Sequence, residues 1–457
     1  MNKKIASNKL LWIFAVGQLG WSMLSGIVTN LLVFFYLPGK EALSDGQQIF
    51  ISQGKIIGLT VIGMISAVGR LFDAVTDPLI VGRSDRLRHR LGRRIPFMRY
   101  AAIPFGAVTV LMFISPVNGE SKLNSAALFI CAMLFYLCMT CYCTPYNALI
   151  PELGRTQESR INLSTFISIT YFFGTAMAYV IPVAAGMLRG SVGYAGSYRI
   201  SIAVLAVIAV ICMLIPAFLI DENQYADTTP SQASAFSSLS ATFRNKQFRT
   251  FVASDILYWI ALTLFQTGLL YYVTELMGLK ESMSTLLFMI MSVVSLCFYV
   301  PVNLISKKTG KKKPVAFAFI FFSLTFFVTS FAGKTAVPAL AYGIIIAVLA
   351  ALPMAILGIL PQAVVADISE ADKLETGENR QGMFYAARTF AFKLGQSAAM
   401  LIFTSVATIG KSSGLGYRLT AVIAAVLCLM GGLVFLRYNE TQVISRISEA
   451  QEDGSDA

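Results

Sequence analysis

Two aspartates, Asp73 and Asp77, lie four residues apart inside an otherwise apolar stretch that runs from residue 56 to residue 80. In a helix, side chains at positions i and i+4 project to the same side, so the two carboxylates can converge on one point. Arg70 lies on the same face, one turn before Asp73. Because one arginine balances only one carboxylate, a surplus negative charge remains, which suits a monovalent cation or a proton. A structural ion pair between Arg70 and Asp73 is the alternative.

The composition indicates that these charges lie inside a membrane. Of the 457 residues 56% are hydrophobic and only 13% are charged, whereas about a quarter of the residues in soluble domains are charged. An ionisable residue at membrane depth is costly and is therefore a functional hypothesis. Twelve apolar runs are long enough to span a bilayer: 10–37, 56–80, 97–115, 124–150, 161–188, 200–220, 249–277, 284–306, 314–332, 336–363, 383–409 and 416–436.

The net charge of +12 follows the predicted topology. Most Lys and Arg residues fall in the N-terminus, in the loops after even-numbered spans and in the C-terminal tail, which predicts cytoplasmic termini. The densest basic cluster, residues 83–99, contains one Phe, Phe97, and has no interleaved aromatic platform for nucleic acid bases. We interpret it as a topology and gating element, with a polybasic lipid contact as the alternative. The seven cysteines fall within spans and the single histidine in this loop, so neither predicts a disulfide framework or a metal site.

Two basic loops reveal an internal repeat. Gly82-Arg-Ser-Asp85-Arg86 with Gly92-Arg93-Arg94 corresponds to residues 305–313, and each loop follows the second span of a six-span half. We therefore predict an all-α membrane protein with twelve transmembrane helices in two pseudo-symmetric six-helix bundles, the major facilitator architecture. The predicted boundaries are an N-terminal bundle 1–220, a cytoplasmic linker 221–248, a C-terminal bundle 249–437 and a disordered tail 438–457.

Four spans carry polar side chains at helical intervals, which a purely lipid-facing helix would avoid. Hydrogen bonding between helices is the alternative for any single Ser, Thr or Cys. Aromatic faces with amide and hydroxyl groups suit a neutral polyhydroxylated ligand. Trp259 is favoured as a stacking platform, whereas Trp21 is equally an interfacial anchor. The predicted substrate-cavity residues are Gln18, Ser22, Tyr136, Cys143, Asn147, Asp255, Trp259, Gln266, Tyr385, Thr389 and Gln396.

Two motifs give the chain a resemblance to a known family. They are Arg70-Leu-Phe-Asp73-Ala-Val-Thr-Asp77-Pro78 and Ala366-Asp367-Ile-Ser-Glu-Ala-Asp-Lys-Leu-Glu-Thr-Gly377 through Arg388-Thr-Phe-Ala-Phe-Lys393-Leu-Gly395. The chain resembles the glycoside–pentoside–hexuronide:cation symporter family over nearly its whole length. The resemblance implies a major facilitator fold and uptake of a sugar coupled to sodium, lithium or a proton by alternating access.

The resemblance also implies site residues. Asp73 and Asp77 match the family's cation site, with Thr76 in place of an asparagine and Thr140 as a hydroxyl ligand. Lys393 and Arg70 match the intramembrane basic residues that couple cation and sugar. The sugar site departs from the pattern of the family's best-known galactoside carrier. Ser22 and Cys143 stand where that carrier has aspartates, Asn147 replaces a stacking tryptophan, and a span 5 arginine aligns near Ser168. A melibiose-like galactoside is therefore not expected.

The sequence thus predicts a cation-coupled sugar or glycoside symporter and no enzyme, because metal clusters, nucleophile motifs and phosphate loops are not recognised. A carrier of a lysolipid or other amphiphile is the alternative. A transport-dead sensor would be expected to lose Asp73, Asp77 and Lys393, which this chain retains. Asp85, Arg86, Arg93 and Arg94 are predicted to gate the cytoplasmic side. The expected partners are a small-molecule substrate, the coupling cation Na⁺, Li⁺ or H⁺ and the lipid bilayer, with no other cofactor. We expect a monomer in a bacterial inner membrane.

Overall fold

A computed structural model of the chain describes residues 4–56, 58–154, 157–225, 242–377, 381–410 and 413–453. The chain divides into two units, Met1–Ala233 and Ser234–Ala457. The first unit contains α1 (Asn8–Tyr36), α2 (Lys40–Ser44), β1 (Lys55–Ile56), β2 (Leu59–Thr60), α3 (Val61–Arg86), α4 (Ile95–Leu111), α5 (Lys122–Leu153), α6 (Gln157–Ala178), α7 (Ile181–Leu219) and α8 (Glu222–Tyr225). The second unit contains α9 (Lys246–Tyr271), which continues in a π-helical turn (Tyr272–Leu276), α10 (Ser282–Thr309), α11 (Lys312–Thr329), α12 (Ala339–Thr376), α13 (Gln381–Val406), α14 (Leu415–Phe435) and α15 (Glu440–Asp453).

The long helices of the two units pack in the same pattern. In the first unit α1 packs against α6 and α7, α3 against α5, and α4 against α5 and α7. In the second unit α9 packs against α13 and α14, α10 against α12, and α11 against α12 and α14. Each pair in one unit has its counterpart in the other in the same sequence order. The packing therefore supports the internal repeat that the basic loops predict.

Eight stretches of described helix are long and apolar enough to cross a membrane: Asn8–Tyr36, Lys122–Ile150, Asn162–Leu219, Lys246–Leu276, Ser282–Thr309, Lys312–Thr329, Ala339–Thr376 and Leu415–Phe435. The sequence also predicts spans within α3, α4 and α13. Helix α4 is apolar but shorter, whereas α3 and α13 carry charged residues of the predicted sites. The chain is therefore an integral, multi-pass membrane protein.

Helix α3 has two chemically different faces. Val68, Leu71, Val75 and Leu79, spaced by three or four residues, are exposed by 44–53%. Arg70, Asp73 and Thr76 lie on the opposite side and are buried within the unit. A soluble helix would show the reverse arrangement, with its charged face in water. The exposed apolar face of α3 is the side that contacts lipid in a bilayer.

Several helix ends differ from the predicted spans for local reasons. Helix α3 begins at Val61 rather than at residue 56, because the Thr60 hydroxyl accepts a hydrogen bond from Gly63 N at 3.2 Å and caps the helix. The predicted span 161–188 is interrupted between α6 and α7. Pro182, in the first turn of α7, has no N–H with which to continue the hydrogen bonding of α6. Helix α7 is then broken at Gly193, whose φ of 71° favours glycine.

In each unit a glutamate carboxylate caps the N-terminus of the third long helix, α4 in the first unit and α11 in the second. Glu222, at the start of α8, accepts hydrogen bonds from the backbone N–H groups of Arg94 and Ile95, at 2.8 and 3.0 Å. Glu440, at the start of α15, accepts hydrogen bonds from Lys311 N at 2.5 Å and Lys312 N at 3.0 Å. A negative charge at a helix N-terminus satisfies unpaired N–H groups and stabilises the helix dipole.

The same two corners require glycine. Gly92 has a φ of 102° and Gly310 a φ of 79°. A Cβ at Gly92 would collide with Glu222, and a Cβ at Gly310 would collide with Glu440. The glycines of the two repeated basic loops therefore have a common purpose, which is to let a carboxylate reach the helix N-terminus.

The C-terminal tail is helical where the sequence predicts disorder. Residues 440–453 form α15, which packs against α12. Glu440 anchors its first turn, and Arg446 forms an ion pair with Glu375 of α12. The prediction of disorder over 438–457 was wrong for this segment, because composition alone does not reveal these contacts. Of the predicted linker 221–248, residues 226–241 lie outside the described residues.

Candidate functional site

Helices α3 and α5 bring together the acidic and hydroxyl side chains of the first unit. Thr140 Oγ1 donates a hydrogen bond to Asp73 Oδ1 at 2.8 Å, and Thr144 Oγ1 donates one to Asp77 Oδ1 at 3.2 Å. Both pairs are separated by 67 residues. A constant separation over one turn requires two parallel helices in register. The result is two adjacent carboxylate–hydroxyl pairs.

Thr76 joins these pairs from α3. Its hydroxyl donates to the Asp73 carbonyl at 3.1 Å and lies 3.3 Å from Thr140 Oγ1. Asp73 is fully buried, whereas Asp77 is partly exposed. The structure thus places Asp73, Thr76 and Thr140 in direct contact, with Asp77 one turn away.

Thr144 is a contact that the sequence reasoning missed. The resemblance points to Thr140 as the hydroxyl ligand of this helix. Its position four residues after Thr140 is the signal that could have found it, because that spacing repeats the spacing of Asp73 and Asp77.

Arg70 makes contacts that differ from the predicted alternative of an ion pair with Asp73. Its Nη2 donates to Thr29 Oγ1 of α1 at 2.8 Å, and its guanidinium carbon lies 5.3 Å from the centre of the Tyr136 ring. Gly69 allows this arrangement, because a Cβ there would collide with Tyr136. Arg70 therefore ties α3 to α1 and α5 through a hydroxyl and an aromatic face.

In the second unit, a buried ion pair joins α9 and α13. Arg388 Nε lies 2.8 Å from Asp255 Oδ2, and Arg388 Nη2 lies 2.9 Å from Asp255 Oδ1. Both residues are at most 6% exposed. The parallel hydrogen bonds are the strong, bidentate form of an arginine–carboxylate contact. Asp255, which the sequence places in a substrate cavity, thus has its charge balanced by Arg388, a residue whose role the sequence reasoning missed.

The same two helices keep one register over three turns. Trp259 stacks on Phe392 with ring centres 4.7 Å apart, and Thr267 Oγ1 lies 3.9 Å from Met400 Sδ. Each of these pairs, like Asp255 and Arg388, is separated by 133 residues. Helices α9 and α13 are therefore parallel and packed side by side. Lys393, next to Phe392, is buried.

The remaining predicted cavity residues differ in burial. In the first unit Gln18, Ser22 and Tyr136 are buried, Cys143 is half-buried and Asn147 is exposed. In the second unit Gln396 is buried, while Trp259, Gln266 and Thr389 are half-buried and Tyr385 is exposed.

Ser22 and Tyr385 bond to backbone carbonyls. Ser22 Oγ donates to Leu19 O at 3.1 Å, and a Cβ on Gly174 would collide with this hydroxyl. Tyr385 donates to Gln362 O at 3.3 Å. Close packing of α1 against α6 accounts for the small side chain of Ser22. This favours a helix-contact role for Ser22 over a role in a substrate cavity.

The basic loop is described in part. Arg93 and Arg94 are buried, and Arg94 Nη1 lies 3.7 Å from Glu152 Oε1. The side chains of Asp85 and Arg86 lie outside the described residues. In the second unit Lys311 forms an ion pair with Asp367. Their gating role stays a prediction.

The long apolar helices, the buried charges and the repeated packing define a polytopic membrane protein with a transporter fold. The chain belongs to the MFS/sugar transport protein family, whose sequence profile matches residues 13–442. The fold is similar to that of the nucleoside transporter NupG, with a TM-score of 0.63, 13% identity and coverage of 94% of this chain and 98% of that chain.

Several relatives are named as symporters. The uncharacterized symporter sll1374 of Synechocystis is 29% identical over 218 residues, which cover 46% of this chain and 38% of that protein. The putative glycoside/cation symporter YagG of Escherichia coli is 28% identical over 50% of this chain and 49% of that protein. The sodium-dependent lysophosphatidylcholine symporter 1-A of Danio rerio is 24% identical over 82% of this chain and 78% of that protein. The chain thus aligns with less than half the length of sll1374 and about half that of YagG.

Proposed function

We propose that the protein is a symporter that moves a sugar or glycoside together with a monovalent cation by alternating access. In this proposal twelve helices form two six-helix bundles, with both termini in the cytoplasm of a bacterial cell and the protein in the inner membrane. The observation that carries the proposal is the pair of carboxylate–hydroxyl contacts, Asp73 with Thr140 and Asp77 with Thr144, at membrane depth.

These side chains suit a small, hard cation. Such cations prefer oxygen ligands, and carboxylates with hydroxyls supply oxygens alone. Two ionised carboxylates one helical turn apart repel each other, and burial strengthens that repulsion because the local dielectric constant is low. A bound Na⁺ or Li⁺, or a proton on one carboxylate, relieves it. Thr76 and Thr144 extend the set of oxygens that surrounds the cation.

Coupling follows from a shared set of charges. A cation at Asp73 and Asp77 changes the net charge that Arg70 experiences, and so changes the affinity for a solute. Thermodynamic linkage requires that the solute raise the affinity for the cation by the same factor. Only the fully loaded carrier and the empty carrier then change conformation freely, which makes transport of the two species obligatory.

A sugar or glycoside is the favoured solute. The family description names sugar transport, and a relative is named a putative glycoside/cation symporter. The cavity residues Trp259, Thr389 and Gln396 supply an aromatic face, a hydroxyl and an amide, which suit a polyhydroxylated ligand.

A lysolipid is the second candidate solute. A relative is named a sodium-dependent lysophosphatidylcholine symporter, and it aligns over 82% of this chain. Ser22 also favours this candidate, since its small side chain packs against Gly174 instead of providing a charged sugar ligand.

Ligand-dependent thermal stability of the purified, detergent-solubilised chain tests the proposal. Glycosides, pentosides, hexuronides and lysophosphatidylcholine are each added with NaCl, LiCl or choline chloride. A ligand at 100 times its Kd stabilises by about 2.7 kcal/mol, enough for a measurable rise in Tm. We expect a sugar to stabilise strongly with a coupling cation and weakly in choline. Asp77→Asn should remove the cation effect, while Glu120→Gln, an exposed loop carboxylate, should keep it.

The opposite results discriminate between the two candidate solutes. Stabilisation by lysophosphatidylcholine alone would show that the transported solute is the lipid and not a sugar. Stabilisation that is equal in sodium, lithium and choline at every pH would contradict the coupling itself.

A further inference from the structure

A layer of buried polar atoms lies between α9 and α13, beginning one turn after the ion pair of Asp255 and Arg388. The 133-residue register that pairs Trp259 with Phe392 and Thr267 with Met400 places Thr263 opposite Gln396. Thr263 is 1% exposed and Gln396 is 7% exposed.

Three atoms of this layer have no hydrogen-bond partner among the described residues. They are Trp259 Nε1, Thr263 Oγ1 and Gln396 Oε1. Buried polar atoms are almost always hydrogen-bonded, because each unsatisfied one destabilises the fold, so three on one helix pair require an explanation. Trp259 and Thr263 are four residues apart and share a face of α9. All three atoms therefore point to the same helix interface.

The chemistry of the three atoms is complementary to a hydroxyl group. The indole N–H only donates, the amide Oε1 only accepts, and the threonine hydroxyl does both. A ligand hydroxyl can accept a hydrogen bond from Trp259 and donate one to Gln396, while Thr263 supplies a further bond.

The layer is unsuited to a cation. It contains no formal negative charge, and the carboxylate one turn away, Asp255, is already neutralised by Arg388. Lys393, three residues before Gln396, adds positive charge on α13. The indole of Trp259 presents an apolar ring beside the polar atoms.

We propose that Trp259, Thr263 and Gln396 form a hydrogen-bonding subsite for a hydroxyl group of a neutral, polyhydroxylated solute. This inference rests on the proposed function and deepens it, because it assigns a specificity-determining role to Thr263 and favours a sugar over a lipid chain. An acyl chain offers no partner for any of the three atoms.

The test is isothermal titration of the full detergent-solubilised chain with lysophosphatidylcholine and with a panel of methyl glycosides of pentoses and hexoses, in NaCl, LiCl and choline chloride. The variants Thr263→Val, Gln396→Met and Trp259→Phe each remove one polar atom and keep the approximate shape. Thr267→Val is the matched control, since it is the same substitution one turn further along α9, where the hydroxyl contacts Met400.

We expect at least one glycoside to bind wild-type protein, and each of the three variants to weaken its affinity by about tenfold, as the loss of one hydrogen bond to a bound ligand does. Thr267→Val should bind within twofold of wild type. Among the 2-, 3-, 4- and 6-deoxy forms of that glycoside, one should bind wild type more weakly and bind Thr263→Val no more weakly than it binds wild type. The hydroxyl missing from that form is the one that Thr263 contacts.

Each other outcome overturns part of the proposal. If a glycoside binds with a cation dependence but Thr263→Val and Gln396→Met keep wild-type affinity, the symporter survives and the subsite does not. A fall in the Tm of Thr263→Val without ligand would then assign the layer to an internal water. If lysophosphatidylcholine binds and the glycosides do not, the solute class is wrong. If glycosides bind equally in all three salts at every pH and lose affinity in the variants, the subsite stands and the cation coupling fails.

Discussion

Asp255 and Arg388 join α9 and α13 through two parallel hydrogen bonds of 2.8 and 2.9 Å, and both side chains are buried. Removing one partner leaves the other as an uncompensated buried charge, which costs far more than the pair contributes when intact. The pair therefore fixes the register of the helix pair that also holds Trp259 and Gln396.

The first prediction concerns this ion pair. Asp255→Ala and Arg388→Ala should each lower the free energy of unfolding in detergent by about 3–5 kcal/mol. The double variant should be less destabilised than the sum of the two, because neither charge is then left alone. The Asp45 and Arg189 pair, which is partly exposed, is the control and should contribute about 1 kcal/mol or less. Additive effects at Asp255 and Arg388 would show that the two charges are not coupled.

The second prediction concerns the hydroxyls of α5. Thr140→Val and Thr144→Val should each reduce cation affinity about tenfold, since each removes one oxygen and the hydrogen bond that orients a carboxylate. Calorimetric titration of each variant with Na⁺ and with Li⁺ measures the loss of cation affinity. Thr170→Val is the matched control, because its hydroxyl bonds only to backbone carbonyls of its own helix α6.

The two threonines need not contribute equally. Thr140 contacts a fully buried carboxylate and Thr144 a partly exposed one, so the loss at Thr140 should be the larger. Wild-type cation affinity in both variants would remove the threonines from the site.

The third prediction concerns the carboxylates that cap α4 and α11. Glu222→Gln and Glu440→Gln each remove a negative charge from a helix N-terminus. Glu440→Gln also removes one of two accepting oxygens, whereas in Glu222 the one oxygen Oε2 accepts both hydrogen bonds. We expect a loss of about 1–2 kcal/mol for each, measured by unfolding in detergent. Glu222 is fully buried and Glu440 is not, so the loss should be larger for Glu222→Gln. Glu120→Gln in an exposed loop should be neutral, and an equal loss there would show that capping is not the cause.

Sequence periodicity predicts what lies on one helix, and it succeeded at that level. The spacing of Asp73 and Asp77 correctly puts both on one face of α3, and the repeat of the basic loops corresponds to the matching helix packing of the two units. Contacts between helices depend on register, which no single helix determines. The sequence therefore predicts Asp255 as a cavity residue, whereas the structure places Arg388, 133 residues away, opposite it.

Local breaks and the tail show the same limit. Composition predicts an uninterrupted span over 161–188, but Pro182 interrupts it between α6 and α7, and Gly193 breaks α7 five residues after the predicted end. The tail is polar enough to be predicted as disordered, yet Glu440 caps α11 and starts α15. In each case the deciding feature is local or long-range: a missing backbone N–H, one backbone dihedral angle or one long-range hydrogen bond. Average composition shows none of these.

The central claim is that Asp73 and Asp77 bind the cation that drives solute uptake. The most direct test is accumulation of radiolabelled glycoside in proteoliposomes, using the glycoside that most stabilises the purified protein, under imposed Na⁺, Li⁺ or H⁺ gradients or none. We predict accumulation above equilibrium only with an inward gradient of the coupling cation, its loss in Asp77→Asn and its retention in Glu120→Gln. Accumulation by Asp77→Asn to the wild-type level under the same gradient would contradict this claim.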